Sequence, residues 1–185
     1  LGINDKMAIW FCQRVGAEIR LIDYYDSQDK GLPHYIKVLQ DRKYIYGEHT
    51  APHDILVREL TNGKSRIETA RSLGINFKVA PKLSIQDGIE SARNLFQKCW
   101  FDETKCKDGI NALKNYRKEW DEERKCYADR PYHDWSSNGA DAFRYMAISI
   151  NTIRSEGVYI SKTNRKEENR WSNGNYIPNR ELVEH

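Results

Sequence analysis

The sequence predicts an α/β or α+β domain with one central β-sheet. Strand-like runs open the chain, and helical patterns with further short strand-like runs follow, an order typical of a sheet flanked by helices. The 185 residues are enough for one core, with or without a tail. The predicted strands lie at 7–13, 17–25, 44–48 and 77–80. The predicted helices lie at 32–39, 65–73, 85–99, 107–120 and 137–148.

The strands are predicted from alternation and from the breaks beside them. Residues 17–25 alternate polar and apolar side chains, as a half-buried antiparallel strand does, after a short turn at 14–16. Pro52 interrupts regular structure shortly after the third predicted strand. His53 and Asp54 are therefore expected on a loop at the end of that strand.

The helices are predicted from apolar periodicity and from signals at their ends. Pro33 fits the first turn of the first helix, and Gly74 is a common residue after a helix end. Ser84 with Asp87 forms a capping pair for the third helix, and Ser137 can cap the last one. Four apolar side chains are expected on the inward face of the third helix: Ile85, Ile89, Ala92 and Phe96.

Composition bounds the class of protein. No run of about 18 apolar residues and no leader-like opening occur, so a cytoplasmic protein is expected. The balance of 30 basic to 27 acidic residues is too even to indicate nucleic-acid binding by itself. The four cysteines fit no zinc-finger spacing and are expected to be reduced thiols: Cys12, Cys99, Cys106 and Cys126. The charged run at 121–125 is expected on a solvated face or in a turn.

The two ends of the chain differ from its middle. It begins without a methionine and enters a strand almost at once, which suggests a piece cut from a longer protein. From about Arg154 the sequence is polar with isolated apolar residues. A domain at 1–153 and a polar, flexible tail at 154–185 are therefore expected.

Three acidic residues are candidates for chemistry because of their context. Asp54 follows a strand end, Asp141 is expected in the first turn of the last helix, and Asp5 precedes the first strand. Carboxylates that converge from such positions suit two divalent cations in phosphoryl transfer. The simpler interpretations are a helix-dipole role for Asp141 and a turn role for Asp5.

Two other motifs are weighed and set aside. His53 with Asp54 is similar to the paired ligands of HD phosphohydrolases, but those enzymes need further ligands on an all-helical scaffold, and strands are predicted here. No GxxxxGK[ST] pattern occurs, so no P-loop is present.

Three stretches, at 1–11, 46–54 and 133–145, together resemble the nuclease domain of the large subunit of tailed-phage DNA-packaging terminases. Residues 63–68 and 73–75 also fit, so the resemblance covers about residues 1–150 in order. It implies a ribonuclease H-like fold, a mixed sheet flanked by helices. It also implies an endonuclease that cuts concatemeric double-stranded phage DNA in the host cytoplasm.

The resemblance assigns site residues and partners. Asp54 matches the second metal-binding acid of the family and Asp141 the third, with two Mg²⁺ or Mn²⁺ ions between them. The first acid of the family would lie just before Leu1, and Asp5 is near that position without matching it. The implied partners are double-stranded DNA, the terminase ATPase domain, the small terminase subunit and the portal.

Four further residues are weaker candidates. Asp134 is a possible metal ligand, and with His133 a possible outer-shell or proton-carrying group, against a plain loop role. Lys64 and Arg66 are candidates for contacts with DNA phosphates, against a solvated helix start. Two other functions stay open: a non-catalytic ribonuclease H-like module that docks on DNA or the portal, and a Holliday-junction resolvase.

Overall fold

The structure, a computed structural model, describes residues 6–58, 63–155 and 176–178. The strands are β1 (Met7–Val15), β2 (Glu18–Ser27), β3 (His49–Ala51), β4 (Phe77–Val79), β5 (Cys99–Asp102), β6 (Lys118–Asp121), β7 (Cys126–Pro131) and β8 (Tyr176–Pro178). The helices are α1 (Leu32–Asp41), α2 (Arg66–Ser72), α3 (Ile85–Phe96), α4 (Lys107–Asn115) and α5 (Ser137–Ser155). A 3₁₀ turn, His53–Leu56, follows β3.

The main sheet is small and mixed, with strand order β1, β2, β5, β8. β1 and β2 form an antiparallel hairpin through Gly16, whose φ of 61° is accessible to glycine. β5 is parallel to β2, and β8 is antiparallel to β5. Two separate two-stranded sheets, β3 with β4 and β6 with β7, complete the described strands.

Helices cover both faces of the main sheet, and each face has its own core cluster. On one face α3, α4 and α5 pack over β1, β2 and β5 around Leu21, Phe101 and Phe143. On the other face α1 and α2 pack over β1 around Phe11 and Ile36. The expectation of a mixed sheet flanked by helices is confirmed at this level.

A β-bulge in β2 decides which side chains face which cluster. Phe11 pairs with Asp23 and Cys12 pairs with Leu21, so Ile22 is an extra residue in β2. Leu21 before the bulge and Tyr24 after it therefore face the same cluster, although they are three positions apart in the sequence. Simple alternation along 17–25 does not reveal this change of face.

Trp10 is the contact point between the sheet and the helices α4 and α5. Its indole Nε1 donates to the carbonyl oxygen of Gly139 at 2.9 Å. A Cβ added at Gly109 would lie 2.4 Å from the Trp10 ring, and one at Gly139 would lie 2.8 Å from the Tyr24 hydroxyl. Because neither glycine has a side chain, α4 can approach the Trp10 ring closely and α5 can approach Tyr24 closely.

The predicted cap at the start of α3 and the predicted glycine after α2 are confirmed, and a capping box at the start of α2 is an addition to those predictions. Ser65 and Glu68 form a complete capping box at the start of α2. The Ser84 side chain accepts from the backbone N–H of Asp87 at the start of α3. Gly74 follows α2 with a φ of 87°.

The prediction of a strand at 44–48 is wrong. Residues 43–46 are irregular, and Ile45 is 94% exposed while its two tyrosine neighbours turn inward. Tyr44 donates to Asp23 and Tyr46 donates to the carbonyl oxygen of Leu39. The alternation is real, but these side-chain hydrogen bonds anchor a loop over the second cluster, and the strand begins only at His49.

The predicted helices at 85–99 and 107–120 are too long. α3 ends at Phe96, and its buried face is Gly88, Ala92 and Leu95, with Ile85 48% exposed. The apolar residues after Phe96 belong to β5. α4 ends at Asn115, and the chain continues as the β6–β7 hairpin. The charged run at 121–125 includes the turn of this hairpin, as expected.

The expectations for the chain ends and the cysteines are met in part. Asp5 lies outside the described residues, as do 156–175 and 179–185 of the expected tail, whereas Tyr176–Pro178 adds a strand to the sheet. All four cysteines are free. Within the described ranges no helix is both long enough and apolar enough to cross a membrane.

Gly109→Ala is expected to destabilise the fold. The new Cβ would overlap the rigid Trp10 ring, so the overpacking cost of about 1–3 kcal/mol outweighs the gain in helix propensity. Gly47→Ala is the matched control, because nothing lies within 4 Å of its added Cβ. Urea unfolding should show the loss for Gly109→Ala alone, and equal stability of the two variants would contradict the packing role of Gly109.

Candidate active site

Asp54 lies in the 3₁₀ turn directly after β3, so it follows a strand end as expected, but this strand is His49–Ala51 and not the predicted strand at 44–48. Ile55 is buried and anchors this turn, while the Asp54 carboxylate is 47% exposed. The backbone N–H of Val57 donates to the carbonyl oxygen of Asp54 at 3.1 Å. The carboxylate is therefore held on a short, hydrogen-bonded turn and still reaches solvent.

His53 connects this turn to α5. Its Nε2 lies 3.3 Å from Oδ1 of Asp54, and its ring centroid lies 6.4 Å from that of Tyr145. Its Nδ1 is buried and has no hydrogen-bond partner among the residues that the structure describes. The side chain that neighbours Asp54 in the sequence is thus also the one that contacts the helix carrying Asp141.

Asp141 lies in the second turn of α5, because the helix begins at Ser137. The expectation of a first-turn position, and with it the simple helix-dipole interpretation, is wrong. Oδ1 of Asp141 accepts from Nε and Nη2 of Arg144 at 3.2 and 3.1 Å. The carboxylate remains 42% exposed.

Tyr116 is a further neighbour of Asp141. Burial raises the pKa of the Tyr116 phenol to about 12, and the nearby Asp141 carboxylate adds to the rise, while Arg144 opposes it. Asp141 therefore lies beside one cationic neighbour, which bonds it, and one neutral phenol.

The helix geometry brings the two acidic positions to one region. Asp141 and Tyr145 are four residues apart, so their side chains share one face of α5. Tyr145 contacts His53, which contacts Asp54. The two half-exposed carboxylates of the sequence motifs therefore belong to contacting elements on the same side of α5.

Asp134 has a structural position at the start of α5. Its Oδ1 accepts from the backbone N–H and the hydroxyl of Ser136, and its Oδ2 accepts from Arg117 at 2.8 Å. The Ser137 hydroxyl bonds the backbone of Asp134, and Ser137 is the first helical residue rather than a cap outside the helix. These contacts support the loop role of Asp134 that the sequence left open.

Lys64 and Arg66 flank Ser65 at the start of α2, beside the Asp54 turn. Ser65 forms a β-bridge with Arg58, and the backbone N–H of Arg66 donates to Val57. Lys64 is exposed and Arg66 is half-buried. Both basic residues thus lie on the chain segment next to Asp54.

Asp54 and Asp141 offer a divalent cation two carboxylate ligands, a small number for a metal site. Among the residues that the structure describes, no group of three or more His, Cys, Asp or Glu side chains is arranged to hold a metal ion. Mg²⁺, however, commonly takes only one or two carboxylates, and water and substrate phosphates fill the other positions. Asp54 and Asp141 match that smaller requirement in chemistry.

The sequence missed three residues of this region: Tyr116, Arg144 and Tyr145. The spacing of Asp141 and Arg144 on a predicted helix is an available signal, because residues three apart can form an ion pair. Tyr116 and Tyr145 carry no comparable local signal, since their partners come from other elements.

The comparisons with known proteins add no relative. No protein-family model matches the chain, and no match is found among curated proteins or among solved structures. The fold is therefore described as mixed α/β, a small mixed sheet flanked by helices.

Asp134→Ala is expected to lower the free energy of unfolding by about 1.5–3 kcal/mol at pH 7, because several bonds to its charge are lost. Burial raises the pKa of Asp134, but the bonds from Ser136 and Arg117 lower it below its ordinary value overall. The contribution is thus complete above about pH 4 and shrinks as the pH falls below that.

The control for this variant is Asp129→Ala, whose fully exposed side chain pairs loosely with Lys118 at 3.8 Å. It should change stability by less than about 0.5 kcal/mol. Urea unfolding at pH 7 and pH 3 checks both variants. A loss for Asp134→Ala that is as large at pH 3 as at pH 7 would contradict the charged role.

Proposed function

We propose that the chain is a metal-dependent endonuclease domain that cuts concatemeric double-stranded phage DNA during genome packaging. One observation carries this proposal: the turn with Asp54 packs against α5, the helix with Asp141. The two acids come from motifs far apart in the sequence. Contact between their elements is what a shared carboxylate metal site requires.

The fold supports the proposal at a coarser level. A small mixed sheet with helices on both faces agrees with the ribonuclease H-like arrangement that we propose. The free cysteines agree with a protein that works in the host cytoplasm.

In this proposal Asp54 and Asp141 hold Mg²⁺ or Mn²⁺. Two such ions, when bound, activate a water for attack on phosphorus and stabilise the departing 3′ oxygen. His53 keeps the Asp54 carboxylate in one orientation through its contact at 3.3 Å. Lys64 and Arg66 bind backbone phosphates of the duplex beside the Asp54 turn. The ATPase domain, the small terminase subunit and the portal are the partners in the parent assembly.

Asp54→Asn and Asp141→Asn should each lower Mn²⁺-dependent nicking of supercoiled plasmid at least about 100-fold, because each removes one anionic metal ligand. The far-ultraviolet circular dichroism of both variants should match the wild type, because the Asp54 carboxylate is half exposed and the amide oxygen introduced by Asp141→Asn can still accept from Arg144.

Glu90→Gln is the matched control, since it neutralises an exposed acid on α3 whose pair with Arg93 is 3.9 Å long. It should cut like the wild type. Activity that survives both aspartate substitutions would refute the catalytic assignment. A strong preference for four-way junctions over linear duplex in the same assay would instead identify a junction resolvase.

A second candidate is a ribonuclease H-like module that docks on DNA or the portal without cutting. The ion pair between Arg144 and Asp141 favours it, because the guanidinium already neutralises this acid. So does the lack of a three-ligand cluster in the described part of the chain. Duplex binding without any metal-dependent nicking, in the wild type and both aspartate variants, would select this function.

Lys64→Ala combined with Arg66→Ala should weaken duplex binding and lower the slope of log K against log salt concentration by about 2, roughly one per lost phosphate contact. Fluorescence anisotropy at several salt concentrations measures the slope. The control pair, Lys30→Ala with Lys37→Ala, removes the same charge from exposed positions at α1. An equal change in both pairs would mean that net charge alone decides binding.

A further inference from the structure

Arg144 is an unusually buried cation on α5. Its side chain is only 10% exposed, and its ion-pair partner among the described residues is Asp141. Burial of an arginine is unfavourable unless its charge is paired and its N–H groups are bonded. The contact with Asp141 is therefore a requirement of the buried position.

Gly88 creates the space for this side chain. It is the fourth residue of α3, and glycine within a helix is unfavourable, so a packing reason is expected. A Cβ added at Gly88 would lie 2.8 Å from Cδ and 2.9 Å from Cγ of Arg144. Any larger residue at this position would push the arginine out of its present place.

Besides Gly88, two side chains hold the guanidinium of Arg144: Asp141 and Tyr145. Nε and Nη2 both donate to Oδ1 of Asp141, which fixes the carboxylate and leaves Oδ2 to other partners. The guanidinium carbon lies 4.7 Å from the centre of the Tyr145 ring. Tyr145 in turn contacts His53, the neighbour of Asp54.

We propose that Arg144, seated against Gly88, is a positioning residue that orients the Asp141 carboxylate for a divalent cation. This inference rests on the proposed function, because it concerns the same metal site. Carboxylates that bind metals are commonly fixed by hydrogen bonds from outer-shell donors, and loss of such a donor weakens metal binding 10–100-fold. Arg144 supplies this donor through two N–H groups on one oxygen.

A double-mutant cycle tests the seating of Arg144 without any metal. Gly88→Ala should lower Tm in the wild-type background, where the new Cβ meets Arg144. In the Arg144→Ala background it should raise Tm by about 2–4 °C, the effect of better helix propensity alone in a domain of this size. The same shift in both backgrounds would overturn the seating.

Mn²⁺ titration followed by electron paramagnetic resonance, in the absence of DNA, tests the positioning. Arg144→Ala and Gly88→Ala should each bind Mn²⁺ 10–100-fold more weakly than the wild type, and Arg144→Lys should recover part of the loss. Gly88→Ala keeps every charge of the site, so it remains informative if Arg144→Ala does not fold.

Unchanged or tighter Mn²⁺ binding in Arg144→Ala and Gly88→Ala, with binding lost in Asp141→Asn, would overturn the positioning role and leave the proposed function intact. Tighter binding would identify Arg144 as a competing counter-ion instead. Equal Mn²⁺ affinity in the wild type and Asp141→Asn would overturn both the proposed function and this inference.

Discussion

The contact of Trp10 with the glycines of α4 and α5 is the constraint on which the rest of the structure depends. The indole ring fills the space above Gly109, and its N–H bonds the carbonyl oxygen of Gly139. Since interiors are close-packed, a side chain in place of either glycine would move a helix away from the sheet. This contact fixes the start of α5, and Asp141 lies only two residues after Gly139.

A close contact at a glycine also occurs between α3 and α5, on the same face of the sheet. A Cβ added at Gly88 of α3 would lie 2.8 Å from Arg144 of α5, so this position also needs a glycine. As a result, α5 has two different faces. One face packs on the sheet through Phe143, and the other contacts the Asp54 turn through Tyr145. The geometry of the candidate site is thus a consequence of helix packing.

Local signals predicted the elements that local chemistry stabilises. The cap at Ser84 and the glycine after α2 depend on residues a few positions apart, so the sequence shows them directly. The strands β5, β6 and β7 are short, and their pairing partners are remote or come after a turn. Short apolar runs of this kind read equally well as the ends of helices, which is why α3 and α4 were extended too far.

The sequence by itself determined an α/β domain with a sheet between helices, the position of Asp54 at a strand end, and the helix that carries Asp141. These follow from periodicity and from end signals, which act over one or two turns. Only the tertiary structure decided that the Asp54 turn contacts α5, that Arg144 is buried on Asp141, and that Asp134 serves the start of the helix. The reason is physical: which side chains meet across elements depends on how closely the helices approach the sheet and one another. Gly109 and Gly139 set the first distance and Gly88 sets the second, through contacts far apart in the chain.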